Sequence, residues 1–531
     1  MATYDIVIKH GKVFSGSGSS WFYADIGIKN GIIKKVGYIK NPQADTIIDA
    51  SGKIVSPGFI DSHNHSDLSI MAYPDATNAL LQGVTTIIIG NCGFSAAPAL
   101  SKKRDLLYRY WSTLGPLPVE ITWNSFGEYL DQLERVKPAV NIAPLVGHGT
   151  LRIAAMGFDA RSPDQQEMNL IKSLLVESLN AGAFGISTGL IYPPGSFSST
   201  SELIELAKVV AEHGGIYVSH IRGESHTLIP AVQEAIEIGK QAKIPVEISH
   251  HKASGKDNWG KVKETLKLIE DARGAGVEVN CDVYPYTAGM TMLSAVLPKW
   301  AHEGGIEALI SRLRDPLMRA RIREQMEKDT STWENFARQI GWENIVVSYS
   351  DKCKYCEGKS IAEISKAWNL DPYDVVFEIL IKDECKSTMI THSMREEDVV
   401  EVIKSPFSMI GSDSWVLPTE GRAHPRFFGT FPRIIKRYVK ELGALRLEEA
   451  VRKMTTLPAE KFRLFDRGYI GLGYKADIVI FDFKKISDQA TFEEPTKLPI
   501  GIEYVIVNGT LAVEEGVVTK VRSGEVIRRS E

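Results

Sequence analysis

No run in this 531-residue chain approaches the roughly 18 consecutive apolar residues that a membrane-spanning helix needs. The N-terminal stretch "MATYDIVIKHGKVFSG" alternates like a strand, without the continuous apolar segment and small-residue cleavage site of a secretory signal. These two absences predict a cytoplasmic protein with no membrane partner. Cysteine is scarce: Cys92, Cys281, Cys353, Cys356 and Cys385 are five, an odd number that does not suggest a disulfide framework. Long blocks of one charge are missing too, and a formal net charge of -4 provides no field that would favour a phosphate backbone, which argues against nucleic acid as a partner. There is no fixed-period repeat and no low-complexity segment. What is present, 44% hydrophobic and 24% charged residues, describes a globular chain with ample material for a core.

The pattern changes twice along the chain. The first 55 or so residues read as short strands between glycine turns, "YDIVIKHGKVF", "ADIGIKNGIIKKVG" and "DTIIDASGKIV", and the last 70 or so do the same in "GYKADIVIFDF" and "IEYVIVNGTLAVEEGVVTKV". Two-strand fragments bury little alone, so the termini are expected to meet in one small β-sandwich, residues 1–56 with 459–531. Between them, eight apolar runs alternate with amphipathic helical stretches: "PGFIDSHNH", "TTIIIGNC", "NIAPLVGHGT", "AFGISTGL", "GIYVSHIRGE", "PVEISHHKASG", "VEVNCDVYPYT" and "SMIGSDSW". Continuously apolar strands in βα alternation predict a parallel sheet, and eight of them a distorted (β/α)8 barrel over residues 57–458. The long gap before the eighth run predicts an inserted subdomain or lid at about 288–346, with the remainder of the gap supplying extra strands and helices, including "STMITHS".

Chemistry in such a barrel gathers where strands end and the following loops begin. The ends of the proposed strands carry His63 and His65 on the first, Cys92 on the second, His220 on the fifth, His250 on the sixth and Asp413 on the eighth. Imidazole, thiolate and carboxylate are the groups zinc prefers, and a thiolate favours Zn²⁺ over Mg²⁺ or Ca²⁺. A carboxylate on the open side of such a site can orient a water, take its proton and return it to a leaving amine; Asp413 is the candidate. The second histidine of "SHHK", His251, points to the other face of a regular strand and is assigned to packing. "CKYC", at 353–356, has the spacing of a zinc knuckle or redox pair but no second pair, and reads as surface thiols without that function.

With those residues in place the chain resembles the amidohydrolase superfamily and, within it, the N-acyl-D-amino-acid deacylases, or D-aminoacylases. The resemblance spans the whole chain: "PGFIDSHNHSD", "IIIGNCGFS", "GISTGLIYPPGSFSST", "VSHIRGE", "EISHHKASG", "VYPYTAG", "IGSDSW" and "ADIVIFD". "NCG", "YPPG" and "SHHK" make it specific to the subfamily. It implies that Cys92, His220 and His250 hold a tight zinc, with His63, His65 and Asp413 around a second, more weakly held position. Strand four has no lysine to carry the bridging carbamate of many dinuclear relatives, and Cys92 stands in for that anionic ligand. For the substrate, an N-acyl amino acid, the resemblance favours Tyr192, Lys252 and Tyr284.

The residues themselves add Arg222, suited to a bidentate grip on an α-carboxylate, and His148 at a strand end; Leu293, Leu297 and Trp300 are candidates for a side-chain pocket. Two other readings stay open. One is a cyclic amidase or dipeptidase of the same superfamily, of the hydantoinase, dihydroorotase or isoaspartyl dipeptidase kind. The other is a silent scaffold protein on the same fold, which predicts loss of ligands that are all present here. Preferred acyl group, side chain, D over L selectivity beyond the resemblance, homo-oligomer formation and occupancy of the second metal position are not legible in the sequence.

Overall fold

The computed structural model describes residues 3–117, 119–328, 333–418 and 423–529; the other residues of the expected terminal, barrel and inserted segments lie outside this set. All eight expected runs form strands: Phe59–Asp61, Val84–Ile89, Asn141–Pro144 continued by Val146–Gly147, Gly185–Gly189, Ile216–His220, Val246–Ile248, Val279–Val283 and Ser408–Ile410. Every neighbouring pair that is hydrogen-bonded is parallel. Leu145, whose amide donates to Ile89 O at 2.9 Å, joins the two halves of the third strand. The ring closes where Ser62 Oγ donates to Ile410 O at 3.0 Å and Asn64 bridges Ser414. These strands are buried along their whole length, which is why they read as apolar runs rather than as alternations.

Helices cover the outside, and their ends follow local chemistry. Gln165–Ala181 starts at Asp164, whose side chain accepts from the Gln166 and Glu167 amides in a capping box, and stops at Gly182 with φ 119°. Leu175, Ile171 and Leu179 on one face of this helix enter the large core between helices and barrel.

The two ends of the chain meet in one nine-stranded sheet. Ile478–Phe481 pairs antiparallel with Ile54–Pro57, and Lys53 reinforces the junction with contacts of 3.0 Å to Asp482 and 2.6 Å to Glu503. The sheet curls until Ile32 bridges Lys475, enclosing Ile8, Ile26, Ile28, Val55, Ile478 and Ile506. The excursion before the eighth barrel strand is longer than 288–346. Ala288–Met292 and Ile345–Tyr349 both pair with Thr388–His392, so the inserted sheet is complete only near residue 392. With five helices it builds its own apolar core around Leu309, Ile345, Phe377 and Met389.

Candidate metal centre and active site

The ends of the first, second, fifth, sixth and eighth strands carry their side chains into one mouth. At three of them the backbone turns left-handed on a non-glycine residue: Cys92 (φ 52°), His250 (φ 36°) and Asp413 (φ 51°). Such a conformation costs on the order of 1 kcal/mol or more per residue and persists only where surrounding contacts hold it. Here each turn breaks the strand alternation and delivers its side chain inward. His251, the next residue, is sent outward and bonds Thr265 Oγ1 at 2.7 Å, as its strand face predicts.

Three overlapping sets of ligand atoms result, each with its atoms within 4.8 Å of one another: His63, Cys92 and His250; His63, His65 and Asp413; His220, Glu224 and His250. Cys92 Sγ lies 3.3 Å from His63 Nε2 and 3.5 Å from His250 Nε2. Ligands at about 2.0 Å and 2.3 Å from one tetrahedral zinc stand roughly 3.5 Å apart, so these separations fit a shared ion. No single set unites Cys92, His220 and His250, because His250 meets the thiol through Nε2 and Glu224 through Nδ1, the latter at 2.9 Å. His220 is buried between Glu224, 3.8 Å from its Nε2, and the Cys92 thiol, which it contacts.

Polar neighbours fix these rings. Asp282 Oδ2 is 3.2 Å from His63 Nδ1, while its Oδ1 accepts from the His250 amide at 2.8 Å, so one carboxylate orients two imidazole-bearing residues. Asp61 accepts the Ser412 amide at 2.7 Å and the Asn64 side chain at 2.9 Å, tying the first strand end to the eighth. Burial opposes the thiolate of Cys92, but the cationic faces of His63 and His250 outweigh it and hold the thiol well below its ordinary pKa. Burial likewise opposes the charge on Asp413, and the Arg426 guanidinium and the His65 bond overcome it, keeping the carboxyl ionised. His65, pushed down by burial and up by Asp413 and Cys92, ends at about 9.

The cavity above this cluster is lined by His65, Cys92, His220, His250 and Asp413 together with Tyr192, Lys252 and Tyr284, so eight of the eleven site residues expected from sequence face one space. His63 is fully buried behind them. Arg222 and His148 are not brought there. Arg222 is turned aside by Glu234 of the helix Leu228–Ala242, with contacts of 2.9 Å from Nε and from Nη2. His148 opens the helix His148–Met156 and bonds Glu202, at 2.9 Å, in a buried pair with Arg152. Of the three pocket candidates, Leu297 reaches a recess beside the cavity, Leu293 lies in the inserted core, and Trp300 packs against Arg321.

Sequence reasoning missed Glu224 and Arg426. Glu224 lies four residues past a strand end and binds Lys252 Nζ at 2.6 Å. Arg426, 1% exposed, places Nη1 2.9 Å from Asp413 Oδ2, off the hydrogen-bond axis, and stacks 4.8 Å from the Tyr284 ring centre. With Lys252 Nζ 5.6 Å from that same centre, Tyr284 stands between two buried cations. The one available signal was an arginine opening an apolar helix, Arg426–Arg433, shortly after the last barrel strand.

The model of the amidohydrolase family matches residues 46–513. A D-aminoacylase of Alcaligenes xylosoxydans xylosoxydans is 35% identical over 99% of this chain and 98% of its own. The crystal structure of N-acyl-D-glutamate deacylase from Bordetella bronchiseptica, complexed with zinc and a phosphonate mimic of the tetrahedral intermediate, superposes with a TM-score of 0.83 at 34% identity, covering 99% of both chains. A D-aminoacylase structure described as having a binuclear metal centre, with one-metal activation and second-metal attenuation, gives a TM-score of 0.84 at 36% identity over 99% of this chain and 100% of that one.

Proposed function

The chain belongs to the amidohydrolase family, and we propose that it is a zinc-dependent hydrolase that splits the amide bond of N-acyl-D-amino acids into a carboxylate and a free D-amino acid. The observation that carries this reading is the meeting of Cys92, four histidines and Asp413 at one barrel mouth, beneath a cavity that also holds Arg426 and Lys252. Following the resemblance, Cys92, His220 and His250 would hold the tight ion: Cys92 and His250 stand 3.5 Å apart and His220 contacts the thiol, while His63, His65 and Asp413 form the set that borders a second position. Zinc supplies Lewis acidity toward an amide carbonyl and lowers the pKa of water to about 7.

The remaining work falls to the protein's own groups. Asp413, ionised and fixed between His65 and Arg426, takes the proton of the attacking water on a carboxylate oxygen and returns it to the departing nitrogen. The α-carboxylate needs a cation, and the Arg426, Lys252 and Tyr284 group supplies it in place of Arg222. Lys252 stays charged: burial works against its cation, and the contact with Glu224 more than offsets that. Tyr192, with its hydroxyl 2.8 Å from Thr291 Oγ1 and its ring 4.8 Å from His220, walls the opposite side. The fourth barrel strand, Gly185–Gly189, reads GISTG and has no lysine for a carbamate bridge, which weighs against a cyclic-amidase reading.

Release of free amine from paired N-acetyl-D- and N-acetyl-L-amino acids, with and without added zinc, tests the proposal. Zinc-dependent turnover confined to the D series is expected. Equal rates on both enantiomers, or turnover of cyclic imides alone, would overturn it.

A further inference from the structure

We propose that an apolar bay beside His65 is an acyl-chain site, so that the substrates of this protein carry N-acyl groups longer than acetyl. The inference rests on the amide-hydrolase reading above. The bay is walled by Leu68, Trp111, Leu114, Pro116, Leu117 and Trp415. It opens onto the main cavity through His65, Leu114 and Trp415, which line both. Among the described residues no Lys, Arg, Asp or Glu side chain lines it, so a charged group entering it would lose its hydration without compensation. Its walls are held from behind. Trp111 Nε1 donates to Ser95 O at 3.1 Å, and Trp415 stands edge-on to Phe427 with ring centres 4.6 Å apart.

The direction of the substrate follows from Asp413. Its Oδ1 is 3.2 Å from His65 Nε2, and its Oδ2 is 2.9 Å from Arg426 Nη1, so the carboxylate separates a His65 side from an Arg426 side. An N-acyl amino acid whose α-carboxylate lies at Arg426 has its amine half on that side, which leaves its acyl half on the His65 side. Continuing the acyl group past the carbonyl leads into the bay. A separate recess, lined by Met292, Leu297 and Phe336 together with Lys299, His302 and Glu334, opens at the Tyr192 side and is available to the amino-acid side chain. Two bays thus serve the two substituents of one amide. Among the described residues, the one hydroxyl side chain in the acyl bay is that of Ser69, whose buried Oγ has no hydrogen-bond partner, so a larger apolar residue there would fill the bay without removing a bond.

The test is a matrix of N-acetyl-, N-butanoyl- and N-hexanoyl-D-leucine with N-acetyl-D-alanine, assayed for amine release. In the wild-type protein kcat/KM should rise about fourfold for each methylene buried in the bay. Leu117→Trp, at a half-buried position, and Ser69→Leu should each erase that rise while leaving the N-acetyl-D-leucine rate and its ratio to N-acetyl-D-alanine unchanged. A wild-type series without the rise overturns the inference whatever the variants do. So does a pair of variants that alters the leucine-to-alanine ratio instead of the acyl preference. Hydrolysis of the acetyl substrate alone would leave the amidase reading standing and remove the bay; no hydrolysis of any member would remove both.

Discussion

Cysteine occupies two environments in this molecule. At the barrel mouth Cys92 stands among His63, His250 and His220, and its thiol is drawn well below its ordinary pKa. In the inserted subdomain Cys353 and Cys356, expected at the surface, are instead buried with Cys385 in an apolar core near Asp383, and burial pushes the Cys356 and Cys385 thiols up to about 12. The C-x-x-C pair has the more conspicuous spacing, yet the described residues put no imidazole beside it and no metal-capable set around it. Spacing along the chain says which residues could share an ion; the company of imidazoles decides whether the thiolate that binds one exists.

Replacing Cys92 should break the comparison most severely. In Cys92→Ala the anionic ligand is gone, and metal analysis after gentle purification should find zinc lost together with activity; a full complement of bound zinc would contradict the assignment. Asp413→Asn should lower kcat by about 10²–10⁴ while zinc is retained, since the tight ligands lie elsewhere. Near-wild-type turnover would end its role as base and acid. Next comes pH. The raised pKa of His65, about 9, means that below this value the metal-free ring is protonated and must release its proton before it can serve as a ligand. Occupancy of the second position, where His65 lies, should therefore weaken as pH falls through about 9, by up to tenfold per unit for each proton displaced, and level off above it. Affinity for the second equivalent that does not change over that range would count against His65. The smallest effect should come from the other region: Cys353→Ala with Cys356→Ala leaves zinc content and kcat unchanged and costs about 1–2 kcal/mol of stability in denaturant titration through lost packing.

The barrel was legible because its strands are buried on both faces and therefore run apolar without alternation, and five of them end in a side chain able to bind a metal. That made His63, His65, Cys92, His220, His250 and Asp413 readable as a group, and each of the six falls in one of three overlapping ligand sets. What could not be read were partnerships made by folding. Arg222 has the chemistry of a carboxylate clamp, but Glu234, on the next helix, draws it aside. Arg426 was not singled out from the sequence, and it is the cation that faces Asp413, a partnership between the helix Arg426–Arg433 and the eighth strand end that only the fold makes. The insertion was placed too short because its central strand, Thr388–His392, comes last in sequence and pairs with two strands that precede it.

X-ray absorption at the zinc edge, on protein loaded with one equivalent of zinc, addresses the centre most directly. A single sulfur scatterer at about 2.3 Å with nitrogen and oxygen neighbours at about 2.0–2.1 Å is predicted, and it should vanish in the Cys92 variant. A shell with two sulfurs, or with none, would contradict the account, the former by moving the ion to the C-x-x-C pair and the latter by leaving the barrel thiol without its purpose.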